Sequence, residues 1–205
     1  MALQTEHPTS SVASRAFEVV TALSMTVGRG AAARTVADLA AVGPGDRVVD
    51  LGCGPGTAVR EALRRGAGAT GVDPSPVMLG LARRITSARG LRNATWVEGT
   101  AEAVPAPDGS ATVVWALSSV HHWHDRGAGL AEARRVLAPG GRVVLAERLT
   151  RDGARGHAAH GLTRDEAEQL ASAMAGTGFL DVHVSTERAG RRTLVVVRGT
   201  RGARP

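Results

Sequence analysis

An α/β protein with a mostly parallel sheet and helices on both faces is what this sequence predicts, on three observations. Short apolar runs alternate with stretches of helical spacing between Arg47 and Glu147. The connections between them are short and marked by glycine and proline, as in Gly43-Pro44-Gly45 and Pro139-Gly140-Gly141. The first apolar run, Arg47 to Leu51, also leads through Gly52-Cys53-Gly54-Pro55-Gly56 straight into a helical pattern. Glycines at alternate positions let the backbone turn tightly and let a ligand press against it.

The elements follow in order. Met1 to about Ser11 is polar and expected to fray. Val12 to Val27 has amphipathic helical spacing, Gly28 to Gly30 breaks it, and a second helix runs through Val36, Leu39 and Ala40. These two helices, residues 1–42, either cover a sheet face or form a substrate lid. After the first strand, the helix beginning at Thr57 carries Ala58, Val59, Ala62 and Leu63 inward and stops at Gly66. Ala69 to Val72 is a second strand ending at Asp73, and Pro74-Ser75-Pro76 opens a helix through Met78, Leu79 and Ala82. Asn93 to Val97 and Thr112 to Leu117 are strands three and four. A polar loop, Ser118 to Asp125, precedes a helix around Leu130, Ala133 and Val136, and Arg142 to Ala146 is strand five.

The last third differs. Arg148 to Gly161 is rich in Arg, His and Gly. Thr163 with Glu166 three places on has capping-box spacing for a helix to Thr177. Val182 to Ser185 and Thr193 to Val197, joined by a short loop, form an antiparallel pair. Residues 43–198 thus make one domain, with 199–205 a disordered basic tail.

Composition narrows the function. At 205 residues the chain holds one domain with a substantial core. The formal charge of +6 rests on arginine alone, since there is no lysine. That balance favours anionic substrates or nucleic acid. With no Tyr, two Phe and three Trp, however, there are few groups on which bases could stack, so nucleic acid is not expected. A single cysteine, Cys53, excludes an internal disulfide and a multi-cysteine zinc site. No secretory leader or membrane span is visible, so a soluble cytoplasmic protein is expected. Nothing in the sequence fixes the oligomeric state.

The glycine turn separates two ligand classes. A dinucleotide site places its third glycine where this chain has Thr57, whereas here it is Gly56. Asp50, just before the first glycine, would repel a pyrophosphate and suits a ligand bearing positive charge. Its alternative role is to stiffen the turn as a partner of the helix N-terminus. Asp73 is placed either to accept both ribose hydroxyls of a nucleoside or to cap the helix at Pro76.

On this Asp50-x-Gly52-x-Gly54-x-Gly56 pattern the sequence resembles the class I S-adenosylmethionine (SAM)-dependent methyltransferases. Arg134 to Arg142, with its Pro-Gly-Gly turn, matches a second segment of that family, and the resemblance covers Arg47 to Glu147. It implies a Rossmann-like sheet of seven strands whose last is reversed, SAM as cofactor, and methyl transfer to an O, N, C or S atom of a small molecule. It also implies cofactor contacts from Asp50, Gly52, Cys53, Gly54, Gly56, Asp73, Pro74 and Met78, and from Thr100, Ala101, Glu102, Leu117 and Ser118. Two departures are visible. Thr100 stands where the family has an adenine-binding acid, and Ala111-Thr112 where it has Phe-Asp. Glu102 reads more readily as a structural acid, and Cys53 as a small packing residue.

In Ser118 to Asp125, imidazole chemistry makes His121 or His124 a candidate general base. No metal is expected, because adjacent His121 and His122 should not point the same way. Arg148, Arg151, Arg155, His157 and His160 either recognise an anionic group on the acceptor or form a solvated basic loop. The alternatives to a small-molecule methyltransferase are a non-catalytic SAM- or nucleotide-binding module and an RNA-modifying enzyme.

Overall fold

A computed structural model describes residues 29–156 and 160–203. The helix expected over Val12 to Val27 lies outside them, as does His157. The first described element, α1 (Arg29–Leu39), takes in Arg29 and Gly30, which were expected to lie in a break. There follow β1 (Arg47–Leu51), α2 (Thr57–Arg64), β2 (Gly68–Asp73), α3 (Pro76–Ala88), β3 (Ala94–Glu98) and β4 (Ala111–Leu117). A 3-10 turn over Val120–His122 leads to α4 (Arg126–Val136), β5 (Leu137–Arg148), α5 (Arg164–Gly176), β6 (Phe179–Ala189) and β7 (Arg192–Arg201).

The seven strands lie in the order β3-β2-β1-β4-β5-β7-β6, with β7 antiparallel to both its neighbours and all other pairs parallel. Successive residues of each central strand face opposite sides, and both sides are apolar, which is why these strands read as unbroken runs. Val48, Val113, Trp115 and Val144 face one way, under Val36 and Ala37 of α1, Val59 and Ala62 of α2, and Leu79 of α3. Val49, Val114, Val143 and Leu145 face the other, under Leu130 and Ala133 of α4 and Leu170 and Met174 of α5. Helix α1 thus covers a sheet face. No helix among the described residues is long and apolar enough to cross a membrane.

Two further boundaries, and one of the two roles left open for Asp73, come out differently in the structure. Pro139-Gly140-Gly141 lies inside β5, where a register shift opposite Ala111 and Val113 absorbs it. The expected tail begins too early, because β7 continues through Arg201. That guanidinium donates to the carbonyls of Arg134, Arg135 and Leu137, pinning the strand end to the α4–β5 junction. Finally, α3 is capped by Ser75, whose hydroxyl accepts the Met78 N–H, and not by Asp73. The Thr163–Glu166 capping box forms as its spacing predicts.

Candidate functional site

The sheet order reverses direction beside β1, with β2 on one side and β4 on the other, and the carboxyl ends of these strands bound a cleft. Arg29, Asp50, Gly52, Cys53, Pro55, Thr57, Ala58 and Leu117 line it. The glycine turn is held open by its own hydrogen bonds. The amides of Gly52 and Cys53 both donate to the Val72 carbonyl, at 2.8 and 3.0 Å, and that of Gly56 donates to the Cys53 carbonyl. The Gly54 amide donates to Asp73 Oδ2 at 2.7 Å. Three of these four N–H groups are therefore spent on the end of β2 and one within the turn, and they do not form a free cradle for a phosphate.

Two glycines are sterically required. A Cβ on Gly52 would stand 2.5 Å from the Ser119 Cβ, and one on Gly56, where φ is +75°, would stand 2.4 Å from the Trp96 ring. Ser119 is locked in place by its hydroxyl, which donates to the Leu51 carbonyl at 2.6 Å.

Asp50 is only 2% exposed. Burial, and then the negative charge of Asp73, push its pKa up to about 7, while the Trp115 indole, the Val59 amide and Arg29 pull the other way. The Trp115 N–H nonetheless closes no hydrogen bond of normal geometry. The Val59 amide belongs to the first turn of α2, so Asp50 is a partner of that helix N-terminus. A buried, incompletely compensated acid is what a ligand carrying an ammonium and a sulfonium would find favourable. Cys53, also buried, has its thiol pushed far up by burial and by the two aspartates, which fits packing and not nucleophilic attack.

Asp73 accepts from Gly54 through one carboxylate oxygen and from the Ser75 amide, at 2.9 Å, through the other. Each oxygen keeps a lone-pair direction for a hydroxyl. Pro74 is exposed and Met78 half-buried beside it. Thr100 is exposed and Ala101 buried, in the turn that follows β3. Glu102 is a tether: its Oε1 accepts the amides of His124, at 2.8 Å, and Asp125, at 3.3 Å, which fixes the histidine loop. Ser118 takes a left-handed conformation, φ +56°, with its amide donating to the Ala146 carbonyl.

The histidine loop departs most from expectation. His121 and His122 do not diverge, because the 3-10 turn brings their rings to 3.9 Å between centroids. His121 Nδ1 lies 3.0 Å from Glu147 Oε2, and Glu147 is 1% exposed. His122, although exposed, has its pKa lowered from the ordinary imidazole value by partial desolvation and by the neighbouring His121. His124 is exposed, and its backbone amide is held by Glu102. Arg29 was missed from the sequence. It lines the cleft within range of the charges of Asp50 and Glu147, and burial lowers its pKa. Its only sequence signal was a lone basic residue at a helix start.

Comparison with known proteins agrees with this geometry. Residues 49–145 match the methyltransferase domain family. The chain is similar to a demethylmenaquinone methyltransferase of Thermus thermophilus, 39% identical over 116 residues, or 56% of this chain and 52% of that protein. It is similar to a 27-O-demethylrifamycin SV methyltransferase of Amycolatopsis mediterranei, 39% identical over 107 residues, or 51% of this chain and 39% of that protein. The chain thus spans about half or less of the length of these relatives. In fold it is similar to a SAM-dependent methyltransferase from Aquifex aeolicus, with TM-score 0.72 and 15% identity over 89% of this chain and 97% of that one. It is also similar to the [4+2]-cyclase SpnF, with TM-score 0.76 and 20% identity over 96% of this chain and 98% of that one. Residues 49–145 are thus similar to the methyltransferase domain family, and the seven-stranded sheet around them shares the fold of the SAM-dependent methyltransferase from Aquifex aeolicus.

Proposed function

We propose that the chain binds SAM and transfers its methyl group to an O, N, C or S atom of a small molecule. The observation that carries this is Asp50, an acid buried at the end of β1 beside a turn whose amides are already bonded. Such a floor repels a pyrophosphate and attracts a cation. Asp50 would face the ammonium, Asp73 the ribose hydroxyls, and Thr100 with Ala101 the adenine. Pro74 and Met78 would flank the nucleoside, while Leu117 and Ser118 would form the wall toward the acceptor. When bound, SAM supplies an electrophilic methyl on sulfonium, so the protein's work is to position the acceptor and keep water out. His121, held by Glu147, would be the residue to act on the acceptor's proton where no metal is bound; among the described residues no carboxylate holds the His124 ring in this way. The small-molecule substrates in the names of the two bacterial relatives support a small acceptor, and the basic segment after β5 supports an anionic group on it.

SAM, S-adenosylhomocysteine and NAD, each at about a hundred times its Kd, separate the readings in thermal unfolding. A specific ligand adds roughly 2.7 kcal/mol at that ratio. Both adenosyl ligands should raise the transition by several degrees, and labelled SAM should pass its methyl to a quinol or phenol panel. A response to NAD alone would overturn the proposal. The second reading, SAM binding without methyl transfer, draws on Thr100 in place of an acid and on a fold shared with a cyclase. It would take over if SAM bound but no acceptor were labelled.

A further inference from the structure

Three imidazoles meet beside Glu147, within range of the charge of Arg29, which lines the cleft. His121, His122 and His160 each offer one nitrogen, and these nitrogens all lie within 4.8 Å of one another. The rings of His121 and His160 are 5.5 Å apart between centroids, at 75°, and those of His122 and His160 are 6.0 Å apart, at 72°. They come from two different loops, the 3-10 turn after β4 and the segment after β5, which the parallel sheet sets side by side.

His121 is already prepared as a ligand. In the neutral ring, a proton on Nδ1, facing the buried Glu147 carboxylate at 3.0 Å, leaves Nε2 with a lone pair. That Nε2 is buried and has no hydrogen-bond partner among the described residues. A carboxylate behind a histidine, fixing its tautomer and raising its basicity, is the arrangement that supports metal-bound imidazole.

We propose that His121, His122 and His160 bind a divalent cation of the zinc type, with Glu147 holding His121 from behind and a fourth position open toward the cleft. Metal–nitrogen bonds of about 2.0–2.1 Å in a tetrahedral site need nitrogens roughly 3.3 Å apart. His122 and His160 are exposed, so turning their rings closes the remaining distance. Three imidazoles with no carboxylate among them suit Zn2+, Co2+ or Ni2+ and not Mg2+ or Ca2+. The charge of Arg29 opposes a cation here, and that of Glu147, which acts more strongly on His122, offsets it.

Three protein ligands and an open position are the pattern of a catalytic metal. On the methyl-transfer reading proposed above, on which this role rests, the open position takes an acceptor hydroxyl. The cation lowers the pKa of that hydroxyl, whose proton passes to water. The oxygen then attacks the methyl carbon, forming the C–O bond as the C–S bond breaks with its electron pair going to sulfur.

The test is to strip the full chain with a chelator and titrate it with Zn2+ by calorimetry and with Co2+ by visible absorption. One equivalent should bind, with the intense bands of tetrahedral cobalt. His122→Ala and His160→Ala should each weaken binding at least tenfold, and Glu147→Gln by about 10- to 100-fold. His183→Ala, on the exposed edge of β6, should bind as wild type does, and a retained thermal response to SAM would show that each variant is folded. No cobalt spectrum, or an affinity indifferent to His122 and His160, overturns the site. Metal binding in a chain that ignores SAM keeps the site and overturns only its part in methyl transfer. Methyl transfer that is unchanged by chelation overturns that part as well.

Discussion

At Asp50 the proposed function works against folding. Its carboxyl titrates at about 7 in the folded protein, because burial and Asp73 disfavour the charge. The unfolded chain releases the same proton near pH 4. Between those two pH values the folded form holds the extra proton, so stability falls as pH rises toward 7 and stays reduced above it. Asp50→Asn removes the buried charge without changing the shape. Without ligand, the variant should melt several degrees above wild type at pH 8 and close to it at pH 5, while binding SAM at least ten times more weakly. A variant less stable than wild type at pH 8 would show that the carboxylate is compensated within the fold. Position in a motif was enough to single out Asp50 from the sequence. The meeting of His121 with Glu147, 26 residues away, and with His160, was not legible, because it depends on which loops the sheet brings together.

At the scale of elements, most of the fold was legible, since a parallel strand buried on both faces must be apolar throughout, as in Val48-Val49 and Val113-Val114. Boundaries were less so. Pro139-Gly140-Gly141 reads as a turn, yet it is taken up as an irregularity within β5, because Leu137 already pairs with Ala111 before it. The end of β7 at Arg201 depends on carbonyls at the α4–β5 junction that no local pattern reports. Caps are local, and there the reading held: Thr163 accepts the Glu166 amide while Glu166 Oε2 accepts the Thr163 amide at 2.8 Å. Thr163→Ala leaves the Glu166 amide without its side-chain acceptor, and should cost about 1 kcal/mol. For a domain of this size that is roughly 2–4 °C in the melting temperature. SAM affinity should not change, since α5 lies on the face away from α2 and α3.

For the whole molecule, the sheet gathers its charged groups at one end: Asp50 from β1, Asp73 from β2, and Glu147 from β5, with Arg29 of α1 among them. Three buried acids near one half-buried arginine leave this end under-neutralised, while the chain as a whole is +6. A cationic ligand corrects the local imbalance, so ligand binding and proton release are linked. Below pH 7 the unliganded cleft holds a proton on Asp50, which SAM must displace for its ammonium to meet a carboxylate. SAM affinity should therefore rise close to tenfold per pH unit between pH 5.5 and 6.5, and level off above 7. Calorimetry in two buffers of different ionisation enthalpy should show nearly one proton released per SAM at pH 6 and little at pH 8. In Asp50→Asn both the slope and the proton should vanish while weak binding remains. If the slope persists in that variant, the linked proton sits on another group in the cleft, and Asp50 is then no longer the residue that selects a cationic cofactor.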